Sequence, residues 1–359
     1  MKNNSNTHAA SIDLDLAGNN EPARGSLLGS TGVQLDVDLD TVGKQHGHLK
    51  ISALSATRSP YQLRIPVCII KGKQPGPVIT LLAGVHGDEN EGTLTIHKLA
   101  RTLSEDDIHG CLILLPSINV QGLTKGLRQN PADEMNLDYA FPGKHSGSSS
   151  EKLAYEITRH FIKPSDLVID LRSGGRKLQF IPSAAVRFTD DSALKTSCED
   201  TMIAFGAPNS LRLPPSASNS CLQGTVSALN KDYVQTELGG GMAYGIQVLS
   251  IAYSGCLNVL RHRGMLKDDL ELASTRLLEV RDDSYYVYAP ASGLLEPLVY
   301  LGENVWQEEA MAHIISPTCT DSDNVAIHAS RNATMIASHP GGFVSEGELI
   351  AILAEEVQG

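Results

Sequence analysis

From about residue 45 to residue 241, short apolar runs alternate with stretches whose apolar positions recur at helical spacing. "HLKISAL" (48–54) and "YQLRIPVCIIKG" (61–72) alternate or run apolar, and "GPVITLLAGV" (76–85) reads as a buried strand closing on small residues. "EGTLTIHKLARTL" (91–103) spaces Leu94, His97, Leu99 and Leu103 as a helix does, and "CLILLPSIN" (111–119) is a second buried strand. "SEKLAYEITRHFI" (150–162) repeats the helix, and "SDLVIDLRSGG" (165–175) and "KDYVQTELGGG" (231–241) are strands ending in polar residues. A long helical stretch (242–266) and an acidic linker (267–283) follow. The pattern predicts an α/β fold, a mixed, mostly parallel sheet flanked by helices, over residues 46–270. Ligands of such sheets sit beyond the carboxyl ends of the strands, where His86, Arg172 and Glu237 fall.

The ends of the chain read differently. Residues 1–45 are polar and aperiodic, as expected of a loose arm. Residues 284–359 hold short strands broken by Gly, Pro and Asn, as expected of a small β-barrel or sandwich. The rhythm of this part resembles the biotinyl/lipoyl-type hammerhead domain. Lys267 is the last lysine, so the module has no attachment site and reads as a structural cap.

Composition narrows the partners. The chain has 359 residues, is 41% hydrophobic and has a net charge of −12, with no basic run. Nucleic acid and anionic membrane are therefore poor partners, and a small-molecule substrate is the expected one. The sequence leaves room for a homo-oligomer. No signal-peptide layout or uninterrupted membrane-length apolar run is present, which makes the cytoplasm the expected location. The six cysteines lack CxxC spacing and read as reduced thiols, with Cys68 and Cys111 inside strands.

The chemistry concentrates in "LLAGVHGDENEG" (81–92), where His86 and Glu89 stand just past a strand among glycines. Imidazole nitrogen and carboxylate oxygen suit Zn²⁺, and a catalytic zinc usually takes three protein ligands and a water. With "NLDYAFPG", "DLVIDLRSGG" and "TELGGG" following in order, the chain resembles the succinylglutamate desuccinylase/aspartoacylase family, zinc carboxypeptidase-like hydrolases of N-acyl amino acids. Within that family it is most similar to the N-acetyl-diaminobutyrate deacetylase branch. The resemblance implies His86 and Glu89 as the first two zinc ligands and Glu237 as the base that activates the zinc water. It also implies that Arg128 helps hold the substrate, a role for which a planar guanidinium fork suits a carboxylate. Asn136 lies in the same substrate-contacting motif.

Two departures set this chain apart. The family motif "DLHSGG" supplies the third zinc ligand, but here that position is Arg172. The family's "NLNRxFPG" is here "NLDYAFPG", so an amide and a positive charge expected against the substrate have become Asp138 and Tyr139. Arginine has no lone pair to offer a metal. A fixed positive charge about 4 Å from Zn²⁺ costs on the order of 8 kcal/mol at an effective dielectric near 20. His145 and His160 are the nearest replacement ligands in sequence, while His97 reads as a half-buried helix residue.

Two readings follow. In one, the chain is a metal-dependent deacylase with a replacement ligand or an extra water, and its altered rim favours a neutral or cationic substrate side chain. In the other, it is a metal-free binding or regulatory protein in which Arg172 takes the metal position and pairs with Glu89, Glu237 or Asp138. An inward-pointing guanidinium is expected to bridge to Glu89 or Glu237.

Overall fold

The computed structural model describes residues 32–357 except 55–59, 188–191, 216–219, 242–244, 271–273 and 322. The chain opens with β1 (Val33–Leu35), β2 (Gly43–Leu54) and β3 (Pro60–Lys71), an antiparallel ribbon in which Val33 faces Ile51 and Leu49 faces Ile65. The expected loose arm is thus corrected over 33–45, which joins this ribbon; its residues 1–31 lie outside the described residues.

The ribbon docks onto β5 (Cys111–Leu115) after β4 (Val78–Ala83) and helix α1 (Glu91–Thr102) have formed a parallel crossover. Helices α2 (Val120–Lys125) and α3 (Ser149–Ile157) lead to β6 (Leu167–Leu171), parallel to β4. Next come β7 (Gln179–Phe180), β8 (Ser183–Arg187), α4 (Ser192–Phe205), β9 (Asn209–Leu213) and α5 (Leu222–Ala228). Strand β10 (Asp232–Glu237) then pairs parallel with β6 and antiparallel with β8, and α6 (Ile246–His262) closes this part. The centre is the mixed, mostly parallel sheet expected. Its two faces follow from strand alternation. Ile79, Leu81, Ile169 and Val234 pack under α1, α4 and α6, while Leu82, Val168 and Tyr233 face α3 and α5.

After β11 (Arg276–Glu279) the chain becomes all β: β12 (Tyr286–Tyr288), β13 (Gly293–Pro297), β14 (Asn304–Val305), β15 (Ala310–Ile315), β16 (Val325–His328), β17 (Ala333–Ser338), β18 (Gly342–Val344) and β19 (Leu349–Glu356). A small antiparallel sheet orders its strands β16-β15-β13-β18. The other strands extend the main sheet, because β11 pairs with β9 on one side and β19 on the other. A third core lies between these layers, around Leu211, Tyr285, Met335 and Leu353. Among the described residues there is no disulfide; five cysteines are buried and Cys319 is exposed. No helix among the described residues is long and apolar enough to cross a membrane.

Candidate active site

The ends of β4, β6 and β10 build the floor of the site. Alternation in β6 and β10 puts Asp170 and Gln235 in register on one face, so Arg172 and Glu237, two residues further on, project from that same face. Beyond β4 the chain turns through His86 and Glu89 into α1. Gly87 is required there, because a Cβ would lie 2.1 Å from the Gly122 carbonyl carbon at the start of α2. Over the floor lies a 3₁₀ turn, Leu137–Ala140, whose N-cap Asn136 accepts the Asp138 N–H through its side-chain oxygen at 3.1 Å.

His86 and Glu89 meet as the sequence suggests, with Nδ1 2.7 Å from Glu89 Oε1, both residues buried. The opposite ring nitrogen, Nε2, lies 3.0 Å from Asn136 Oδ1. Both ring nitrogens therefore face oxygen atoms, of Glu89 and Asn136. Glu89 also accepts from Arg128 Nη1 at 3.1 Å and from Ser173 N–H at 3.2 Å. Burial works against its charge, but His86, Arg128 and Arg172 outweigh burial and leave its pKa below the ordinary value.

Glu237 responds in the opposite direction. Burial, then the nearby charge of Glu89, push its carboxyl up to about 8 against the pull of Arg172, Arg187 and Arg128. Gln235 donates to its Oε1 at 3.1 Å. A carboxyl poised in this range can take and return a proton near neutral pH.

Of the three partners expected for it, Arg172 takes Asp138 and neither Glu89 nor Glu237. Its Nη1 and Nη2 donate to the two oxygens of Asp138 at 3.2 and 2.8 Å, and its Nε donates to Asp170, the residue two back on its own strand. No ion pair joins it to Glu89 or Glu237 among the described residues, which corrects that expectation. Tyr233 Oη also donates to Asp170, at 2.7 Å, and the other Asp170 oxygen is buried without a partner among the described residues. Burial opposes the Asp138 charge, yet Arg172, together with His86 and the Leu222 N–H, holds its carboxyl at about 2. Asp170, wholly enclosed, is raised by burial in spite of its donors.

These groups do not fit a three-ligand zinc. The third position holds a guanidinium committed to two carboxylates, and no group of three or more His, Cys, Asp or Glu side chains among the described residues is arranged to hold a metal. His145 stands edge-on to Tyr155 and His160 lies 3.2 Å from Glu156, and neither belongs to a group of three such side chains among the described residues. His97 is exposed on α1 rather than half-buried. Of the rim residues, Arg128 and Tyr139 are exposed, at 48% for the Arg128 side chain and 56% for Tyr139. Asp170, Tyr233, Gln235 and Arg187 were not singled out in the sequence. An aspartate two positions before an arginine on a predicted strand was the available signal for Asp170.

Comparison with known proteins decides the kinship. The succinylglutamate desuccinylase/aspartoacylase catalytic domain matches residues 75–263. The chain belongs to this family. It is 34% identical over 328 residues, 91% of this chain and 96% of the other, to the N-alpha-acetyl-L-2,4-diaminobutyric acid deacetylase of Halomonas elongata. The product-bound ectoine utilization protein EutE of Ruegeria pomeroyi superposes with a TM-score of 0.87 at 32% identity, over 91% of this chain and all of that one. A succinylglutamate desuccinylase from Silicibacter gives 0.87 at 31% identity, over 90% and 98%. By these names the desuccinylase/aspartoacylase relatives are hydrolases that remove acyl groups from amino acids. The fold match extends through the C-terminal β-module.

Proposed function

We propose that this chain binds a small N-acyl amino acid or related amide as a metal-free member of its deacylase family, with the Arg172 guanidinium at the position of the third zinc ligand. One observation carries the reading: Arg172 is clamped by Asp138 and Asp170 and has no lone pair to give a metal. In this reading Arg128, on the rim, holds the ligand's carboxylate, because its forked donors match that group. Asn136 and Tyr139 line the entrance, and the absence of a cation at 139 removes an attraction for an anionic ligand side chain, which favours a neutral or cationic one. The Halomonas relative's substrate, an acetylated diaminobutyrate, is of this class by its name.

One observation favours a second reading, in which the chain hydrolyses the amide. Glu237 is retained with its carboxyl near 8, where it can act as a base toward water and then as an acid toward the leaving amine. Metal content of the purified protein, zinc calorimetry and N-acetyl-diaminobutyrate calorimetry with a hydrolysis assay separate the two. Ligand binding unchanged by chelator, with no bound zinc and no turnover, is the expected result. Stoichiometric zinc or chelator-sensitive turnover would overturn the metal-free reading in favour of a zinc deacylase. Turnover that persists in chelator would favour metal-free hydrolysis on Glu237.

A further inference from the structure

The Asp138–Arg172 bridge joins three parts of the chain that are far apart in sequence. Arg172 follows directly on β6, Asp138 sits in the 3₁₀ turn 34 residues earlier, and Asp138 Oδ1 also accepts the N–H of Leu222, the first residue of α5, at 3.3 Å. Beside this carboxylate, Asn136 at the turn's N-cap reaches the floor of the site through its Oδ1, 3.0 Å from His86 Nε2. The guanidinium is in turn braced from below by Asp170, which Tyr233 holds by its hydroxyl. The order is therefore Tyr233, Asp170, Arg172, Asp138, Leu222, running from the sheet interior to the rim.

We propose that the Arg172–Asp138 bridge is a three-way clamp that positions the pocket's rim, fastening the 137–140 turn and the first turn of α5 to the end of β6. Asp138 is then a positioning residue, acting through the turn that carries Asn136 and Tyr139. The physical ground is the geometry of the pair. A bidentate fork fixes distance and plane together, whereas a single neutral hydrogen bond fixes neither as firmly. Removing one partner leaves the other as a buried unpaired charge, which is costly, so once Arg172 is gone the further loss of the Asp138 charge costs little. Stability and positioning can therefore be separated by experiment.

The inference rests on the ligand-binding reading only in treating the turn as a rim. Its test contains no ligand, so failure of one is distinguishable from failure of the other. Asp138→Asn, Arg172→Met, the double variant and Asp138→Glu are compared with the parent by thermal unfolding and by amide hydrogen exchange of the native protein. Each neutralising single change should lower the melting temperature by about 5–10 °C. Each should also accelerate exchange in residues 137–141 and 222–228. The double variant, in which Asp170 still lacks its guanidinium, should melt no lower than Arg172→Met while both segments stay fast. Asp138→Glu, which keeps the charge, should recover part of the protection. If a single variant does not fold, the double still decides, since a folded double with fast segments supports the clamp. Parent-like protection in the double, or single losses that simply add, would overturn it.

Discussion

Replacing Glu237 with glutamine removes one proton from the pH dependence of folding, and the structure sets its size. The Glu237 carboxyl lies near 8 in the folded protein against 4.5 in an ordinary environment, a difference that corresponds to about 5 kcal/mol. This is an upper value, because the side chain is not fully sealed from water. The folded state holds this proton after the unfolded state has released it, so the parent loses stability as pH rises from about 4.5 to about 8. Glu237→Gln keeps an oxygen for the Gln235 donor and has nothing to titrate. Denaturant unfolding of both proteins at pH 5, 7 and 9 measures the gap directly, since all other titrations are shared. The variant should gain on the parent by about 4 kcal/mol between pH 5 and pH 9. A gap that stays constant within about 1 kcal/mol would refute the burial and Glu89 repulsion assigned to Glu237. A bound zinc ion beside Glu237 would also flatten it by favouring the carboxylate, which metal analysis of the same samples would reveal.

Two further outcomes are expected. Arg172→His places a neutral donor beside His86 and Glu89, and calorimetry should find zinc bound at least roughly 100-fold more tightly than by the parent; zinc binding no better than the parent's would move the defect to Asp138 and Tyr139. Arg128→Ala should weaken a carboxylate-bearing N-acyl amino acid by roughly 10- to 100-fold in Kd, the worth of a charge-assisted hydrogen bond, and an unchanged Kd would remove Arg128 from the ligand site.

The parts of the fold that could be read from the sequence are those where periodicity and punctuation agree. β4, α1, β5, β6 and β10 combine uniform apolar runs or clean helical spacing with small or polar terminators. Residues 176–230 offered no such agreement. β8 has two alanines among five residues, and α4 scatters its apolar positions, so β8, β9, α4 and α5 emerge only once the neighbouring strands are present to pair with. In the site, the meeting of His86 and Glu89 could be read because both sit in one short local motif, as Arg172 sits in another. Which of Glu89, Glu237 and Asp138 pairs with Arg172, and that Asp170 joins them, could not be read, because it depends on which face β6 presents and on a turn 34 residues away. Strand parity makes Asp170 a neighbour of Arg172, but only folding brings Asp138 within reach.

The continuity of the main sheet through β9, β11 and β19 has a consequence for how this chain can be divided. The stretch matched by the family's catalytic domain ends at residue 263, before β11. A fragment cut there would lose the strand beside β9, together with the side chains that cover Leu211 and Leu213. It would present a bare row of backbone donors and acceptors next to uncovered apolar surface, a template for pairing between molecules. The same cut would strip β17 from β7, whose Phe180 N–H holds the Gly239 carbonyl just beyond Glu237. Recombination or fragment expression that treats the β-module as a detachable passenger should therefore yield aggregates, and those should form from the β9 edge.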